Sequence, residues 1–276
     1  MFEQYLQRGD APFGEKVWEQ INTTVVEAAR SQLSGRRLLR TIGPYGTGVK
    51  ALPFGDSDVA GITPGGGGAT KGVTVSSSCI IPVVMLRSEF TLSVRDVAAF
   101  EQAGTPFDLN AVAEAAIAAA RQEEQVIYNG LPALNTLGLL NTPGTRSVKL
   151  RPWNAVGDAV EDIIGAVTEL DSGGFGGPYA LALTPKSYNH LFRRYEYGDM
   201  TELDHVRQIV TGNIVKASAL PGGGVLVDIS GPFVDIVLGQ DLMTSFVGPA
   251  PGRYQFAILE SIALWVRVPG AICVLK

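Results

Sequence analysis

The sequence has little charge and few of the side chains that most often carry catalysis. Only 18% of its 276 residues are charged, and it contains two cysteines and two histidines. Cys79 and Cys273 are too few for a disulfide framework and too far apart for a metal-binding motif, as is typical of proteins from a reducing compartment. We therefore expect a cytoplasmic protein that needs no metal or other cofactor.

Long apolar runs are also missing. The longest, residues 79–86, includes Pro82 and is far shorter than the roughly 20 residues of a membrane-spanning helix. The first residues lack the basic and apolar regions of a secretory signal. The 22 basic and 27 acidic side chains give a net charge of −5, which argues against binding driven by phosphate neutralisation. The sequence thus predicts neither membrane nor nucleic acid as a partner.

The hydrophobic content is high for so little charge. Hydrophobic residues make up 46% of the chain, which excludes intrinsic disorder. One interpretation is that other copies of the same chain cover part of the surface. The alternative is a single large core with an ordinary surface, and composition alone leaves both open.

Motifs that indicate an active site are absent or incomplete. Residues 65–72 resemble a phosphate-binding loop, but Thr70 and Gly72 stand where that motif needs glycine and a hydroxyl residue. The glycine-rich residues 173–178 follow a predicted helix and precede a predicted strand, the reverse of a dinucleotide-binding turn. Neither His190 nor His205 has cysteines or carboxylates nearby at metal-ligand spacing. The sequence therefore favours a structural protein over an enzyme.

Periodicity predicts a mixture of helices and strands. Apolar residues recur at helical spacing in residues 15–33, in the alanine-rich residues 109–128 and in residues 155–170. Shorter helices are expected from Pro185 and over residues 203–210. Strands are expected within residues 74–94 and over residues 179–183, 224–229 and 254–268, the last of them unusually long. Four consecutive glycines make residues 51–72 an extended arm.

An ordered set of short segments is more specific than any of these patterns. They are Trp18, Gln32-Leu33, Gly35-Arg36, Gly43-Pro44-Tyr45-Gly46, Phe90-Thr91-Leu92, Val126-Ile127-Tyr128-Asn129-Gly130, Gly177-Pro178-Tyr179 and Leu238-Gly239-Gln240-Asp241-Leu242. In this order and spacing the chain resembles, over essentially its whole length, the encapsulin shell proteins, a family also labelled linocin-type bacteriocins.

The resemblance implies an α+β fold, the phage-capsid fold of the HK97 type, with a peripheral P-domain, an apical A-domain and an extended E-loop. Mapped onto this chain, residues 1–48 form an N-terminal helical arm that leads into the P-domain, and residues 49–73 form the E-loop. Residues 74–135 carry the P-domain with its spine helix, residues 136–229 the A-domain, and residues 230–276 the C-terminal strands of the P-domain.

The same resemblance implies a self-assembling icosahedral nanocompartment that encloses cargo enzymes through their C-terminal targeting peptides. We expect the smallest shell, of about 60 copies, and a cargo such as a dye-decolourising peroxidase or a ferritin-like protein. A phage major capsid protein is the alternative with the same fold, although the chain starts without a long charged scaffolding segment. A bacteriocin or protease is the third alternative, and no nucleophile with a base supports it.

The resemblance also implies a cargo-peptide site between the N-terminal helix and a P-domain strand. The matching positions are Val25, Ala29, Leu33, Arg36, Val237, Leu238 and Asp241. Each of them has the alternative role of packing the helix onto its own strand. Arg40 stands where some relatives carry an acidic residue, so the charge preference for cargo is expected to differ.

A pore is the last implied feature. The connection between the two short A-domain helices would line the opening at the five-fold axis with Tyr195, Glu196, Tyr197, Gly198 and Asp199. Carboxylates there would attract cations, partly offset by Arg193 and Arg194. The alternative is a solvated loop whose charges balance.

Overall fold

A computed structural model describes residues 3–58, 76–196 and 198–276 of the chain. The α-helices are α1 (Glu15–Arg30), α2 (Gly35–Leu38), α3 (Val94–Ala103), α4 (Asn110–Asn129), α5 (Asp158–Ser172), α6 (Pro185–His190) and α7 (Glu202–Ile209). The strands are β1 (Arg40–Ile42), β2 (Ala51–Asp58), β3 (Ser76–Pro82), β4 (Val84–Ser93), β5 (Arg146–Val148), β6 (Tyr179–Leu183), β7 (Ile214–Lys216), β8 (Gly224–Asp228), β9 (Val234–Ala250), β10 (Arg253–Val266) and β11 (Ile272–Leu275).

A four-stranded sheet in the order β1-β9-β10-β4 forms the region predicted as the P-domain. β10 alternates apolar side chains toward one face, and helix α4 covers that face with the small residues Ala115, Ala116, Ala119 and Ala120. Because these side chains are short, α1 packs closely along the other flank of α4. The spine role predicted for residues 109–128 thus falls on α4.

Aromatic side chains anchor α1 to this sheet. Trp18 lies edge-on to Phe256 with ring centroids 5.8 Å apart, and Phe90 stacks on Phe256 at 4.9 Å. Phe13, just before α1, contacts Trp18 at 5.4 Å and Phe246 at 6.0 Å. Such pairs add to the free energy gained by burial alone. The orientation of α1 on the sheet is therefore set by its first two turns.

A five-stranded sheet in the order β5-β11-β8-β6-β7 forms the second region, and strand alternation buries both of its faces. In β6, Ala180 and Ala182 point into a core shared with the first sheet, whereas Leu181 points into a second core beneath α5 and α7. The predicted P-domain and A-domain regions are thus joined through a continuous apolar core.

The last strand lies in the five-stranded sheet. β11 pairs there with β5 and β8, whereas β9 and β10 pair with each other in the four-stranded sheet. Its alternating side chains explain the placement, since Ile272 and Val274 face the shared core while Cys273 and Leu275 face α5. The predicted domain boundaries stay proposals.

Two helix boundaries differ from the periodicity. Helix α1 ends at Arg30 because the N–H groups of Gln32 and Leu33 both bond the carbonyl of Ala29, which closes a turn. Helix α5 begins at Asp158, three residues later than expected, because the carboxylate of Asp158 accepts the N–H of Ala155. Strand β2 lies within the predicted E-loop and pairs antiparallel with β3, and residues 59–73 of that loop lie outside the described residues.

Candidate functional site

The helix side of the predicted cargo site is largely buried within the subunit. Val25 belongs to the aromatic cluster under α1, next to Ile21. Ala29 and Leu33 form a small separate cluster with Ala120 of α4, and the half-buried Leu242 of β9 packs against it. Both clusters border on β9, because Phe246 belongs to the first and Leu242 packs against the second. Val25, Ala29 and Leu33 are all buried, whereas Leu242 beside the end of α1 is partly exposed.

The strand side of the site is divided by the alternation of β9. Val237 and Leu238 point to opposite faces of the strand, and Leu238 packs in the core beside Val126 and Ile127 of α4. Both are buried, so neither offers a surface to a ligand in the isolated subunit. Arg40 on the neighbouring β1 forms a bidentate pair with Asp235, at 2.7 and 2.8 Å.

An irregularity in the β9–β10 pairing brings charged groups together. Ser261 pairs with Gln240 but Leu259 pairs with Met243, so Asp241 and Leu242 both lie opposite Glu260. A β-bulge of this kind redirects side chains. Here Asp241 and Glu260 reach the same arginine.

That arginine is Arg36 of α2, which binds three carboxylates at once. Its Nε and Nη2 donate to the two oxygens of Glu123 at 2.7 and 3.0 Å, its Nη1 donates to Asp241 at 2.8 Å, and Nη2 also donates to Glu260. The side chains of Glu123 and Glu260 are 0% exposed, that of Arg36 21% and that of Asp241 53%. Arg36 is thus committed to the protein itself and leaves an acidic edge at Asp241.

Burial and charge shift the protonation equilibria in this cluster. Burial raises the pKa of Glu260 well above its usual range, and Glu123 and Asp241 raise it further, while Arg36 opposes them. Burial lowers the pKa of Arg36, but the three carboxylates outweigh it and keep the guanidinium charged. Burial and the neighbouring carboxylates therefore favour the neutral form of Glu260.

A neighbouring carboxylate holds the start of α2. Glu124 accepts the N–H groups of Ser34 at 2.9 Å and Gly35 at 2.7 Å, and also the hydroxyl of Ser34, which lies 3.0 Å from the hydroxyl of Tyr128. These are amides that a helix start leaves unsatisfied. A Cβ at position 35 would lie 2.7 Å from Ile127, so the Gly35-Arg36 segment requires glycine for close packing.

Sequence reasoning missed Glu123 and Glu260, although each lies on a visible pattern. Glu123 shares one helix face with Ala116, Ala120 and Ile127, at spacings that continue the buried stripe of α4. Glu260 falls in the alternation of Phe256, Ile258 and Ile262, which places it on the core side of β10. A carboxylate inside an apolar stripe indicates that a cationic or hydrogen-bonding partner is buried beside it. Arginine is a cation suited to that position.

The predicted pore residues lie on the connection between α6 and α7, as expected. Glu196, Gly198 and Asp199 are exposed, and Tyr197 lies outside the described residues. The half-buried ring of Tyr195 lies 4.7 Å from that of His205, and burial, with Glu202 and Glu161, raises the pKa of Tyr195. Arg193 does not face the exposed carboxylates as predicted, because it binds Glu202 and the carbonyls of residues 153–155.

Among residues 3–58, 76–196 and 198–276, no three or more His, Cys, Asp or Glu side chains are grouped so as to hold a metal ion. No helix in the same described ranges combines the length and the apolar character needed to cross a bilayer.

The comparisons with known proteins agree over nearly the whole chain. The model of the family described as "Encapsulating protein for peroxidase" matches residues 3–263. A type 1 encapsulin shell protein of Myxococcus xanthus is 31% identical over 99% of this chain and 96% of its own length. A diheme-cytochrome-encapsulin shell fusion protein of Kuenenia stuttgartiensis is 30% identical over 94% of this chain and 72% of its own. A ferritin-like-encapsulin shell fusion protein of Pyrococcus furiosus is 26% identical over 74% and 56%.

Solved structures share the fold. A virus-like particle from Pyrococcus furiosus superposes with a TM-score of 0.73 at 21% identity, covering 94% of this chain and 99% of that one. The capsid of Myoviridae phage XM1 superposes with a TM-score of 0.56 at 15% identity, covering 85% and 88%. The chain therefore has the capsid-like α+β fold of the HK97 type.

Within that class the chain belongs to the encapsulin shell proteins, since both the family model and full-length relatives match it. It is a shell protein that forms a nanocompartment, and its role is structural and not catalytic. The predicted family, fold and role are confirmed. The likeness to phage capsids is one of fold alone, and the relatives favour a shell protein over a bacteriocin or protease.

Removing the cation from the buried cluster is expected to destabilise the subunit. Arg36→Met leaves Glu123 and Glu260 without a counter-charge, which costs about 3–5 kcal/mol of the free energy of unfolding. Arg87→Met is the matched control, because Arg87 and its partner Glu89 are both mostly exposed and such pairs contribute under about 1 kcal/mol. Chemical denaturation measures the free energy of unfolding of both variants. Equal losses would show that the charge of Arg36 does not stabilise the cluster.

The raised pKa of Glu260 predicts that the subunit loses stability as pH rises above the unfolded carboxyl pKa. A carboxyl group whose pKa is higher in the folded than in the unfolded chain stabilises the fold fully below the unfolded pKa. That contribution is lost as pH rises through the folded pKa. Glu260→Gln removes this titrating group, so we expect a flatter decline of unfolding free energy with rising pH. The exposed Glu89→Gln should leave the decline unchanged, and a slope equal to wild type in Glu260→Gln would contradict the assignment.

Proposed function

We propose that this chain closes into an icosahedral shell of about 60 copies and encloses an enzyme that carries a C-terminal targeting peptide. The observation that carries the proposal is the full-length relationship to shell proteins, some of which are named as fusions with a diheme cytochrome or a ferritin-like protein. The family description names a peroxidase. A dye-decolourising peroxidase or a ferritin-like protein is therefore the proposed cargo, and the cytoplasm the proposed location.

The groove at the end of α1 is the proposed cargo site, and only part of the predicted set of residues forms its surface. Its apolar part is the half-buried Leu242, which packs against the buried Ala29 and Leu33. Its polar rim is Asp241, whose side chain is the most exposed member of the Arg36 cluster. An extended peptide with small apolar side chains fits such a surface. Val25, Val237 and Leu238 act beneath it by fixing α1 and β9.

Charge reversal at the rim tests this site. Asp241→Arg places a second cation beside Arg36, so we expect loss of cargo loading, while the exposed position of Asp241 lets the shell still assemble. The probe is a fluorescent protein fused to the C-terminal tail of a dye-decolourising peroxidase or of a ferritin-like protein. Its amount per purified shell is the measurement.

Glu19→Arg is the matched control, since Glu19 is an exposed acid on the first half of α1. It should load like wild type. Mass photometry of the same samples reports the shell size, for which 60 copies of 29.2 kDa give about 1.75 MDa. Full loading of Asp241→Arg shells would place the cargo site elsewhere, and failure of wild type to load either tail would contradict the cargo assignment.

The connection between α6 and α7, residues 194–201, is the proposed pore loop. Glu196 and Asp199 are exposed at its tip, beside Gly198, and Tyr195 lies at its base. Tyr197 is kept in the proposal on the resemblance alone. A ring of five copies would carry about ten carboxylates, enough to concentrate cations at an opening.

Neutralising these carboxylates should slow cation influx. We expect Glu196→Gln with Asp199→Asn to reduce divalent-cation influx into intact shells about two- to tenfold, because the attracting potential is lost. Quenching of a lumen fluorophore by Co²⁺ measures the rate. Glu19→Gln with Glu27→Gln removes two exposed acids of α1 and should leave the rate unchanged. An unchanged rate in the loop variant would make residues 194–201 a connector without a role in transport.

A further inference from the structure

The pore loop leaves and re-enters the A-domain between Arg193 and Glu202. The backbone N–H of Glu202 bonds the carbonyl of Arg193 at 3.0 Å, and that of Leu203 bonds the carbonyl of Leu191 at 2.8 Å. Thr201 caps helix α7 in a capping box with Asp204. The two ends of the loop are therefore held side by side, while its tip is exposed.

A side-chain ion pair joins these two ends. Nε and Nη2 of Arg193 lie 3.0 and 2.9 Å from Oε2 of Glu202, and the Glu202 side chain is 0% exposed. Two packed apolar side chains could join the ends without the desolvation penalty of a buried carboxylate. The ion pair differs from such a contact because it also offers donors and an acceptor to the surrounding backbone.

The additional partner is the turn that leads into α5. Nη1 of Arg193 donates to the carbonyls of Trp153 at 2.8 Å and Asn154 at 3.3 Å, and Nη2 donates to that of Ala155 at 3.0 Å. From the other side, Oε1 of Glu202 accepts the N–H of Gly157 at 2.8 Å. The pair thus binds both the acceptors and a donor of one turn, residues 153–157.

This turn is held in place by the packing of the helix that follows it. It continues into α5, which packs on β5, β11 and α7 over the second core. Helix α6, which precedes the loop, has only six residues and could not position the loop by itself. A planar guanidinium suits the role, since its fork reaches a carboxylate and three successive carbonyls, which an ammonium does not.

We propose that Arg193 and Glu202 are positioning residues that fix the pore loop to the 153–157 turn and thereby set the aperture of the pore. The inference rests on the proposed function of residues 194–201 as the pore loop. The exposed carboxylates supply the charge selectivity, and the buried pair supplies the size limit. Contacts between copies that moved the turn would move the loop with it.

Arg193→Gln in the assembled shell tests the inference with two readouts. Hydrogen exchange in residues 194–201 should become about tenfold faster, because charged hydrogen bonds that close the loop base are lost. Influx of a small and a large uncharged quencher into shells with a lumen fluorophore measures the aperture. We expect the ratio of small to large influx to fall about threefold, because a loosened loop admits the larger solute more often.

Two further variants control the experiment. Arg207→Gln is the matched control, since Arg207 on α7 is exposed and only weakly paired with Asp204, at 3.8 Å. It should change neither readout. Glu202→Gln removes the charge but retains an acceptor for Gly157, so it should change both readouts in the same direction by a smaller factor. It also serves if Arg193→Gln shells do not assemble.

Each outcome decides the inference. Faster exchange together with a lower influx ratio supports it. An unchanged influx ratio overturns it, whether or not exchange accelerates, because the pair would then hold a loop that does not set the aperture. If the carboxylate variant of the loop slows cation influx while the Arg193 and Glu202 variants leave the ratio unchanged, the pore stands and only this inference fails. If none of these variants alters influx, the pore assignment fails as well.

Discussion

One guanidinium connects two helices and two strands of the subunit. Arg36 lies on α2, Glu123 on the spine helix α4, Asp241 on β9 and Glu260 on β10, and all three carboxylates bind the same cation. Each buried carboxylate would be costly alone, and the guanidinium compensates their charge. Helix α2 and the bulge of β9 are therefore held in a fixed position relative to each other, beside the proposed cargo groove.

A second partly buried arginine, Arg193, has a different set of partners. Arg193 has one carboxylate partner and fills its remaining donors with backbone carbonyls, so its cluster is electrically balanced. The Arg36 cluster has more carboxylates than cations and retains an acidic, partly exposed edge at Asp241. The first arrangement suits the fixed base of a loop, whereas the second leaves a charged surface beside an apolar cluster.

The residues of the two predicted sites differ in exposure, because they pack differently. The loop residues Glu196, Gly198 and Asp199 are exposed, as predicted. A polar connection between two short helices runs over the surface because its backbone groups would lack partners in the core. Among the predicted cargo-site positions, Arg36 and Asp241 bind each other, and Ala29 and Leu33 share a small buried cluster. Val25, Val237 and Leu238 are also buried, because strand alternation and the aromatic cluster place them in the interior.

The sequence by itself determined the local elements and the family. Helical spacing located α1, α4 and α5 to within about three residues, strand alternation located β6 and β10, and the ordered segments identified the shell-protein fold. Only the tertiary structure decided that β11 joins the five-stranded sheet, that Glu123 and Glu260 meet at Arg36, and that Arg193 binds the 153–157 turn. Those contacts either link residues that are far apart in the chain or depend on which backbone carbonyls face inward. Periodicity shows which face of an element is buried, but the partner on that face is chosen by how all the elements pack together.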